Sequence, residues 1–527
     1  MASGPEVELL EITIDEALRR TVEQHPERTG VVSRHQNLRL TWREMEERVE
    51  QVARGLAGLG LEPGHRVGIW STNNLEWLLL QLGCARAGVV LVNVNPAYRS
   101  HELGYVLEKS RMRALFLRER DHRTDYRAVL DAVPTKVRGV YFDHESWDAF
   151  LKGGMSYSSR RVDRNDVTNI QYTSGTTGSP KGVLLTHRNI LNNAWLIARQ
   201  MRITAEDVLC MPVPLYHCFG CVMSSLLCVA TGAALVMPAP SFDPLATLQA
   251  VSEERATALY GVPSMFIAEL QHPRFGEFDL SSLRTGIMAG APCPIEVMRR
   301  VVADMHCHQM TIAYGQTESS PVITMSDVGD DLELRVTTVG RAMPATEVKI
   351  VEPKTGQTLP VGELGELCTR GYLVMKGYDG NPEATADAID AEGWLHTGDL
   401  AVMHANGAFG IRGRSRDMII RGGENIYPRE IEEFLFTHPA VAEVAVFGLP
   451  DAKFGEIVLA WVRLKPEAEA TSEQIRSWCH DRIAYFKIPA EIRIVGEFPM
   501  TVTGKLQKFR MREEEIRLRG VHEVETA

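Results

Sequence analysis

Apolar and polar positions recur along the first half of this chain with two different periods, and the switching between them is its main structural signal. Over Trp42–Leu59 apolar residues return at helical spacing, and Thr41 followed three residues on by Glu44 has the form of a capping box. Arg66–Trp70 and Ala114–Leu117 then read as strands, Leu75–Ala87 as a helix and Val89–Val94 as a buried strand. The rhythm continues with short strands at Val167–Tyr172 and Val183–Leu185 and a helix from about Arg188 to Met201. A buried helix over about Cys221–Ala230 and strands at Ala233–Met237 and Met310–Ala313 follow. Strands separated by helices predict largely parallel sheets with helices on their faces.

Near Gly410 the texture changes. Gly410-Ile411-Arg412-Gly413-Arg414-Ser415-Arg416-Asp417 is polar and Gly-punctuated, as a hinge is. Beyond it Val441–Phe447 and Ile457–Leu464 read as strands, Ser472–Ile483 as a helix and Ile492–Val495 as a further strand. The expectation is an α/β protein with a large N-terminal domain of helix-covered sheets (1–413) and a hinge at 414–416. A small α+β C-terminal domain (417–527) completes it.

Composition narrows the class. At 527 residues, 44% apolar and 24% charged, the chain has enough length for more than one core and the makeup of a water-soluble protein. A net charge of −11, from 57 basic and 68 acidic side chains, argues against a dedicated nucleic-acid binder. Val208–Phe242 holds no charged residue, but its prolines and glycines break it before it reaches a membrane-spanning length; peripheral contact with a membrane stays open. No basic-plus-apolar leader opens the sequence, so a cytoplasmic location is expected. Cys218-Phe219-Gly220-Cys221 is a CxxC beside His217, yet no second CxxC follows at metal spacing. Buried, chemically quiet cysteines are therefore expected.

The densest candidate chemistry is Tyr172-Thr173-Ser174-Gly175-Thr176-Thr177-Gly178-Ser179-Pro180-Lys181-Gly182. Its glycines let backbone N–H groups turn toward a common point, and its Ser and Thr hydroxyls add donors, which suits a polyphosphate. Pro180 before Lys181 breaks the Walker pattern, and the flanking strands make this a hairpin tip, whereas a Walker loop opens a helix. Three further segments carry reactive groups. Tyr314-Gly315-Gln316-Thr317-Glu318 follows a strand and offers a carboxylate at its end; Trp394–Asp399 places an acid after a Gly turn; Pro499–Lys505 presents a lysine beside Gly504.

In the order of their residues these segments resemble the adenylate-forming superfamily, which includes acyl-CoA synthetases, luciferases and peptide-synthetase adenylation domains. The resemblance implies that Thr173, Ser174, Gly175, Thr176, Thr177, Gly178, Ser179 and Lys181 hold the phosphates of ATP, and that Glu318 binds Mg²⁺. It implies further that Tyr314, with Gly315 and Gln316, stacks on adenine, that Thr317 contacts the α-phosphate, and that Gly290, Ala291 and Pro292 line the opposite wall. By the same resemblance, Asp399 and Arg414 would hold the ribose and Lys505 would be the catalytic lysine. It also implies that His217 is the aromatic gate between acyl and thiol channels, and that Gly422, Gly423 and Glu424 line the pantetheine channel of coenzyme A. The hinge residue, usually Asp or Lys, is Arg416 here.

Val92–Arg99 and Pro214–Gly220 look most like medium- and long-chain fatty acyl-CoA synthetases. The expected acyl wall, around Tyr216–Ser224, Tyr260–Phe266 and Met288–Cys293, contains no Asp, Glu, Lys or Arg, which suits an aliphatic or aryl tail and disfavours amino acids. The implied reaction converts acid, ATP and CoA to acyl-AMP and then acyl-CoA. A stand-alone enzyme loading a carrier protein, an aryl-acid ligase, luciferase-like oxidation and a non-catalytic nucleotide sensor are the alternatives. Whether the chain works as a monomer or a homodimer is open.

Overall fold

The structure, a computed structural model, describes the chain except His122, 155–161, 174–179, Pro292, 415–416, 422–423, 452–453, Asp481, 501–505 and 521–527. The side chains of Arg414, Ile420, Glu424 and Asn425 also lie outside the description. Two compact units are present: Met1–Val348 with Thr369–His396, and Lys349–Cys368 with Thr397–Ala527.

The larger unit holds two sheets. One runs, edge to edge, Gly377–Tyr378, Lys181–Thr186, Val167–Thr173, Val90–Asn93, Arg66–Trp70, Ala114–Leu117, Arg138–Tyr141. Its last five strands are mutually parallel, while the first two are antiparallel additions at one edge. The other sheet has nine strands, with a parallel centre from Gln309–Gly315 to Thr29–Ser33 and antiparallel strands at both edges. This is the helix-covered, largely parallel arrangement that alternating strand and helix patterns dictate.

Local chemistry explains most of the boundaries. Thr41 Oγ1 accepts the Glu44 N–H at 3.2 Å, and the Glu44 carboxylate accepts the Thr41 N–H at 2.8 Å. Helix Trp42–Gly58 therefore starts where the capping box lies. Helix Leu75–Ala87 is apolar nearly all round and is buried nearly throughout. The expected helix over Cys221–Ala230 is instead two pieces, Cys218–Cys221 and Ser225–Thr231. The Cys221 carbonyl accepts from Gln81 Nε2 and Ser225 Oγ, both at 2.7 Å, so side chains satisfy a group that a continuous helix would use. The helix expected over Ser472–Ile483 stops at Cys479, because His480 turns extended (φ −64°, ψ 139°).

In the smaller unit, Ile419–Arg421, Glu424–Ile426, Val441–Asp451, Gly455–Leu464 and Glu491–Ile494 form one sheet. One face packs Ile431 and Leu435 of helix Pro428–Leu435 with Ile475 of Ser472–Cys479; the other packs Met511 of Lys508–Arg519. Strands Leu395–Met403 and Phe409–Arg414 pair antiparallel, and the expected boundary at 413–416 falls at the end of the second. No described helix is long and apolar enough to cross a membrane.

One ionic cluster ties three helices of the larger unit together. Arg86, its side chain 2% exposed, reaches Asp15 at 2.6 Å, Glu46 at 2.7 Å and Glu50 at 3.4 Å. Burial by itself would lower the guanidinium pKa, but the carboxylates overcome it and hold it above its ordinary value. Arg86→Ala would leave three carboxylates facing each other. It should cost on the order of 2–3 kcal/mol, below a fully buried pair because the carboxylates are partly hydrated. Urea unfolding followed by tryptophan fluorescence checks this; a change under about 0.5 kcal/mol would mean that water screens the cluster.

Candidate active site

In open parallel sheets, ligands lie outside the carboxyl ends of the strands. Here the carboxyl ends of both large-unit sheets meet. Thr173, last residue of Val167–Thr173, donates from Oγ1 to Glu318 Oε1 at 3.4 Å, and Glu318 stands just past Gln309–Gly315. Tyr378, on the edge strand Gly377–Tyr378, donates its hydroxyl to the same oxygen at 2.9 Å. Lys181, opposite Thr173 in the hairpin register, places Nζ 5.0 Å from the centre of the Tyr378 ring. Burial, and then the Glu318 charge, push the Tyr378 phenol pKa up, so it remains a donor.

The backbone around Glu318 is held tightly. A Cβ at Gly315 would stand 1.8 Å from the Pro321 carbonyl oxygen, so only glycine lets the chain double back here. Gln316 N–H donates to that carbonyl at 3.0 Å, and Thr317–Ser319 makes a single tight turn. Ser320 Oγ donates to the Leu373 carbonyl at 2.7 Å, and the Met375 N–H donates to the Glu318 carbonyl at 2.9 Å. Glu318 is thereby fastened to the segment that leads to Tyr378.

Beneath the site lies a layer of buried amides. Asn169 Nδ2 donates to Asn93 Oδ1 at 2.9 Å, and Gln171 Nε2 to Asn169 Oδ1 at 2.8 Å. Asn93 Nδ2 donates to the Tyr216 carbonyl at 3.0 Å. Gln171 bridges the CxxC, accepting from Cys218 Sγ at 3.0 Å and donating to Cys221 Sγ at 3.3 Å. Both thiols are buried, and burial pushes Cys221 up to about 12 and Cys218 well above its ordinary value. None of the nine cysteines is in a disulfide. The two CxxC thiols are buried, as expected, but they sit in a polar layer where the sequence suggested an apolar one.

Three comparisons place this geometry among known proteins. The AMP-binding enzyme family matches residues 18–379, and the AMP-binding enzyme C-terminal domain matches 430–505. The chain belongs to the AMP-binding enzyme family. It is 46% identical to YngI of Bacillus subtilis (strain 168), over 97% of this chain and 98% of that protein. It is 40% identical to the mitochondrial medium-chain acyl-CoA ligase ACSF2 of Homo sapiens, over 95% of this chain and 87% of that one. ATP-bound MatB from Rhodopseudomonas palustris superposes with a TM-score of 0.86 at 30% identity, covering 96% of this chain and all of that one.

In this AMP-binding enzyme, Thr173, Lys181, Thr317 and Glu318 are brought together around Tyr378, a residue that sequence reasoning did not single out. Thr317 is buried beside the Cys218 thiol. Tyr314, Gly315 and Gln316 are half-buried at the strand end, and Gly290 (φ +87°) and Ala291 are exposed after strand Thr285–Ala289. His217 opens the turn Cys218–Cys221, its Nδ1 accepting the Phe219 N–H at 3.2 Å. In the smaller unit Asp399 is buried on Leu395–Met403, directly across from Arg414 in register, and Glu424 pairs with Arg421. Ser174, Gly175, Thr176, Thr177, Gly178, Ser179, Pro292, Arg416, Gly422, Gly423 and Lys505 lie outside the described residues.

Among the described residues, Glu318 offers a carboxylate one of whose oxygens is fixed by the Thr173 and Tyr378 hydroxyls. That fits Mg²⁺, which takes one or two protein carboxylates and completes its shell with phosphate oxygens and water.

The expected acyl wall carries the ring pair Phe219–Tyr260, centroids 5.6 Å apart. Its helix, Pro263–Leu270, continues the buried face of Met265 and Phe266 to Glu269, one turn on. Glu269 is 1% exposed, and among the described residues its Oε2 has no hydrogen-bond partner. Burial holds this carboxyl well above the usual range. A raised folded-state pKa gives stability that is full below about 4.5 and is lost as pH rises toward the folded value. Glu269→Gln carries no ionisable carboxyl. Its stability relative to wild type, followed by urea unfolding, should therefore climb as pH rises above about 5, by up to about 1.4 kcal/mol per pH unit. A pH-independent difference would mean that Glu269 is hydrated.

Proposed function

We infer that this chain is an AMP-forming acid–thiol ligase whose acid is a medium- or long-chain fatty acid. The observation that carries the reading is the meeting of Thr173, Lys181, Glu318 and Tyr378 at the strand ends, in a chain 40% identical to a medium-chain acyl-CoA ligase. Coenzyme A is the proposed acceptor and the cytoplasm the proposed location.

The chemistry needs positioning more than acid–base work. A carboxylic acid is ionised at neutral pH, so its oxygen attacks the α-phosphorus of ATP without a general base. The bond from α-phosphorus to the bridging oxygen breaks, and pyrophosphate leaves with the electron pair. Mg²⁺ on Glu318 would supply charge neutralisation at the phosphates. Lys181 and the 174–179 loop are proposed to hold the β- and γ-phosphates, and Thr317 with Lys505 the α-phosphate, where charge develops. Asp399 and Arg414 are proposed to take the ribose. The acyl adenylate is a mixed anhydride. The thiol of CoA attacks its carbonyl carbon, the C–O bond to AMP breaks, and the thiol proton passes to solvent. A rotation of the C-terminal domain (417–527) about Arg416 is proposed to exchange Lys505 for the 422–424 segment between the two steps.

Pyrophosphate release measured over aliphatic acids of increasing length and aryl acids, with and without CoA, tests the reading. Turnover should require Mg²⁺ and CoA and peak at one aliphatic chain length. A single turnover without CoA stimulation would point instead to a carrier-protein acceptor, and an aryl optimum would displace the fatty acid. Lys505→Ala should lower adenylate formation by at least ~100-fold, the scale for losing a group that meets developing charge. Arg416→Pro should spare adenylate formation and suppress thioester formation; equal loss of both steps would exclude the rotation.

A further inference from the structure

We propose that Tyr378 is a positioning residue that keeps the proposed metal carboxylate, Glu318, and the proposed phosphate lysine, Lys181, separate and correctly aimed. The inference rests on the ATP-binding reading given above and adds a residue to it.

The side chain of Tyr378 meets both charges with different parts. Its hydroxyl donates to Glu318 Oε1 at 2.9 Å, and its ring lies under Lys181 Nζ, 5.0 Å from the centroid. An aromatic face attracts an ammonium through its quadrupole, and a phenol hydroxyl donates readily to a carboxylate. Among the described residues Lys181 and Glu318 form no ion pair with each other, although they converge on the same ring. Opposite charges attract, so without the side chain that each of them touches the two would be drawn toward one another. Each would then have to be prised from its partner before it could meet a phosphate or a metal.

The ring is not free to move away. Gly377 adopts φ +141°, and a Cβ there would come within 2.9 Å of Thr385 Cγ2. The Tyr378 N–H donates to Thr385 Oγ1 at 2.9 Å, and the strand pairs Gly377 and Tyr378 with Leu184 and Val183. On the next residue, Asp379 N–H donates to the Gly182 carbonyl at 2.7 Å. Its carboxylate takes a bidentate pair from Arg66 at 2.7 and 2.8 Å. Residues 377–379 are thus clamped to the outgoing arm of the phosphate hairpin, and the side chain is delivered to both charges. Both described donors to Glu318, Tyr378 and Thr173, go to Oε1, which leaves Oε2 pointed by their joint hold. Outer partners of this kind set ligand orientation, and their loss costs about 10–100-fold in metal affinity or activity.

The two roles can be taken apart by substitution. Tyr378→Phe keeps the ring under Lys181 and removes only the hydroxyl; Tyr378→Leu removes both. Calorimetric titration with ATP alone and with ATP plus Mg²⁺, alongside thermal midpoints, reads binding without turnover. For Tyr378→Phe we expect an unchanged midpoint, unchanged affinity for metal-free ATP, and roughly tenfold weaker affinity for ATP with Mg²⁺. The Mg²⁺ concentration for half-maximal pyrophosphate release should rise in step. Tyr378→Leu should also weaken metal-free ATP, because Lys181 then pairs with Glu318. The loss from Tyr378→Phe should vanish in a Glu318→Gln background, where there is no carboxylate to aim. Wild-type Mg²⁺ dependence in Tyr378→Phe, or losses that simply add with Glu318→Gln, would overturn the proposal. Failure of the wild-type protein to bind ATP would instead overturn the reading of the site on which it rests.

Discussion

Much of the larger unit depends on a single constraint, that buried amides must be satisfied. Asn93, Asn169 and Gln171 sit at most 5% exposed on two parallel strands, among apolar neighbours such as Val92 and Ile170. An unpaired amide there would cost about 1–3 kcal/mol, so each must find partners. They find them in each other and in the 213–221 segment that follows a strand of the other sheet. Asn73 adds a matching clamp, donating to the Val213 carbonyl at 3.0 Å and accepting the Leu215 N–H at 2.8 Å. Slippage of one sheet past the other would break together the bonds that reach the 213–221 segment, whereas an apolar interface would tolerate small shifts.

That constraint places the chemistry. The carboxyl ends of both sheets are brought to one place, and the residues beyond them, Thr173 on one side and Thr317 with Glu318 on the other, come within hydrogen-bond reach. The paired thiols of Cys218 and Cys221 become part of the same layer. Held by Gln171 and raised in pKa by burial, they are hydrogen-bonding spacers and poor nucleophiles. The tight turns finish the arrangement: Gly315 allows the reversal after its strand, and Gly377 allows the edge strand to present Tyr378.

Elements whose pattern is local were legible in the chain. Helix Trp42–Gly58 announces itself by its periodicity and capping box, and helix Leu75–Ala87 by an apolar run between turn signals. The hairpin around the Gly/Ser/Thr loop was readable from its two flanking apolar runs, which form Val167–Thr173 and Lys181–Thr186. The split of the expected 221–230 helix was not readable, because its cause is Gln81, a side chain 140 residues away. Glu269 was missed for a related reason. A lone acid in an apolar helix reads as a solvent face, and only packing shows that the face is covered.

What the sequence determined by itself was the class of fold, the succession of its elements and the reactive side chains in their motifs, since periodicity, capping and residue order act over a few neighbours. The tertiary structure decided which of those side chains share a place. Tyr378 lies 60 residues from Glu318, on a two-residue strand too short to show any period. Its part in the site comes from the antiparallel edge pairing that carries it there, and from a glycine whose φ permits that path. Sheet register acts across any chain distance, which is why a residue without a local signature touches both of the site's charges.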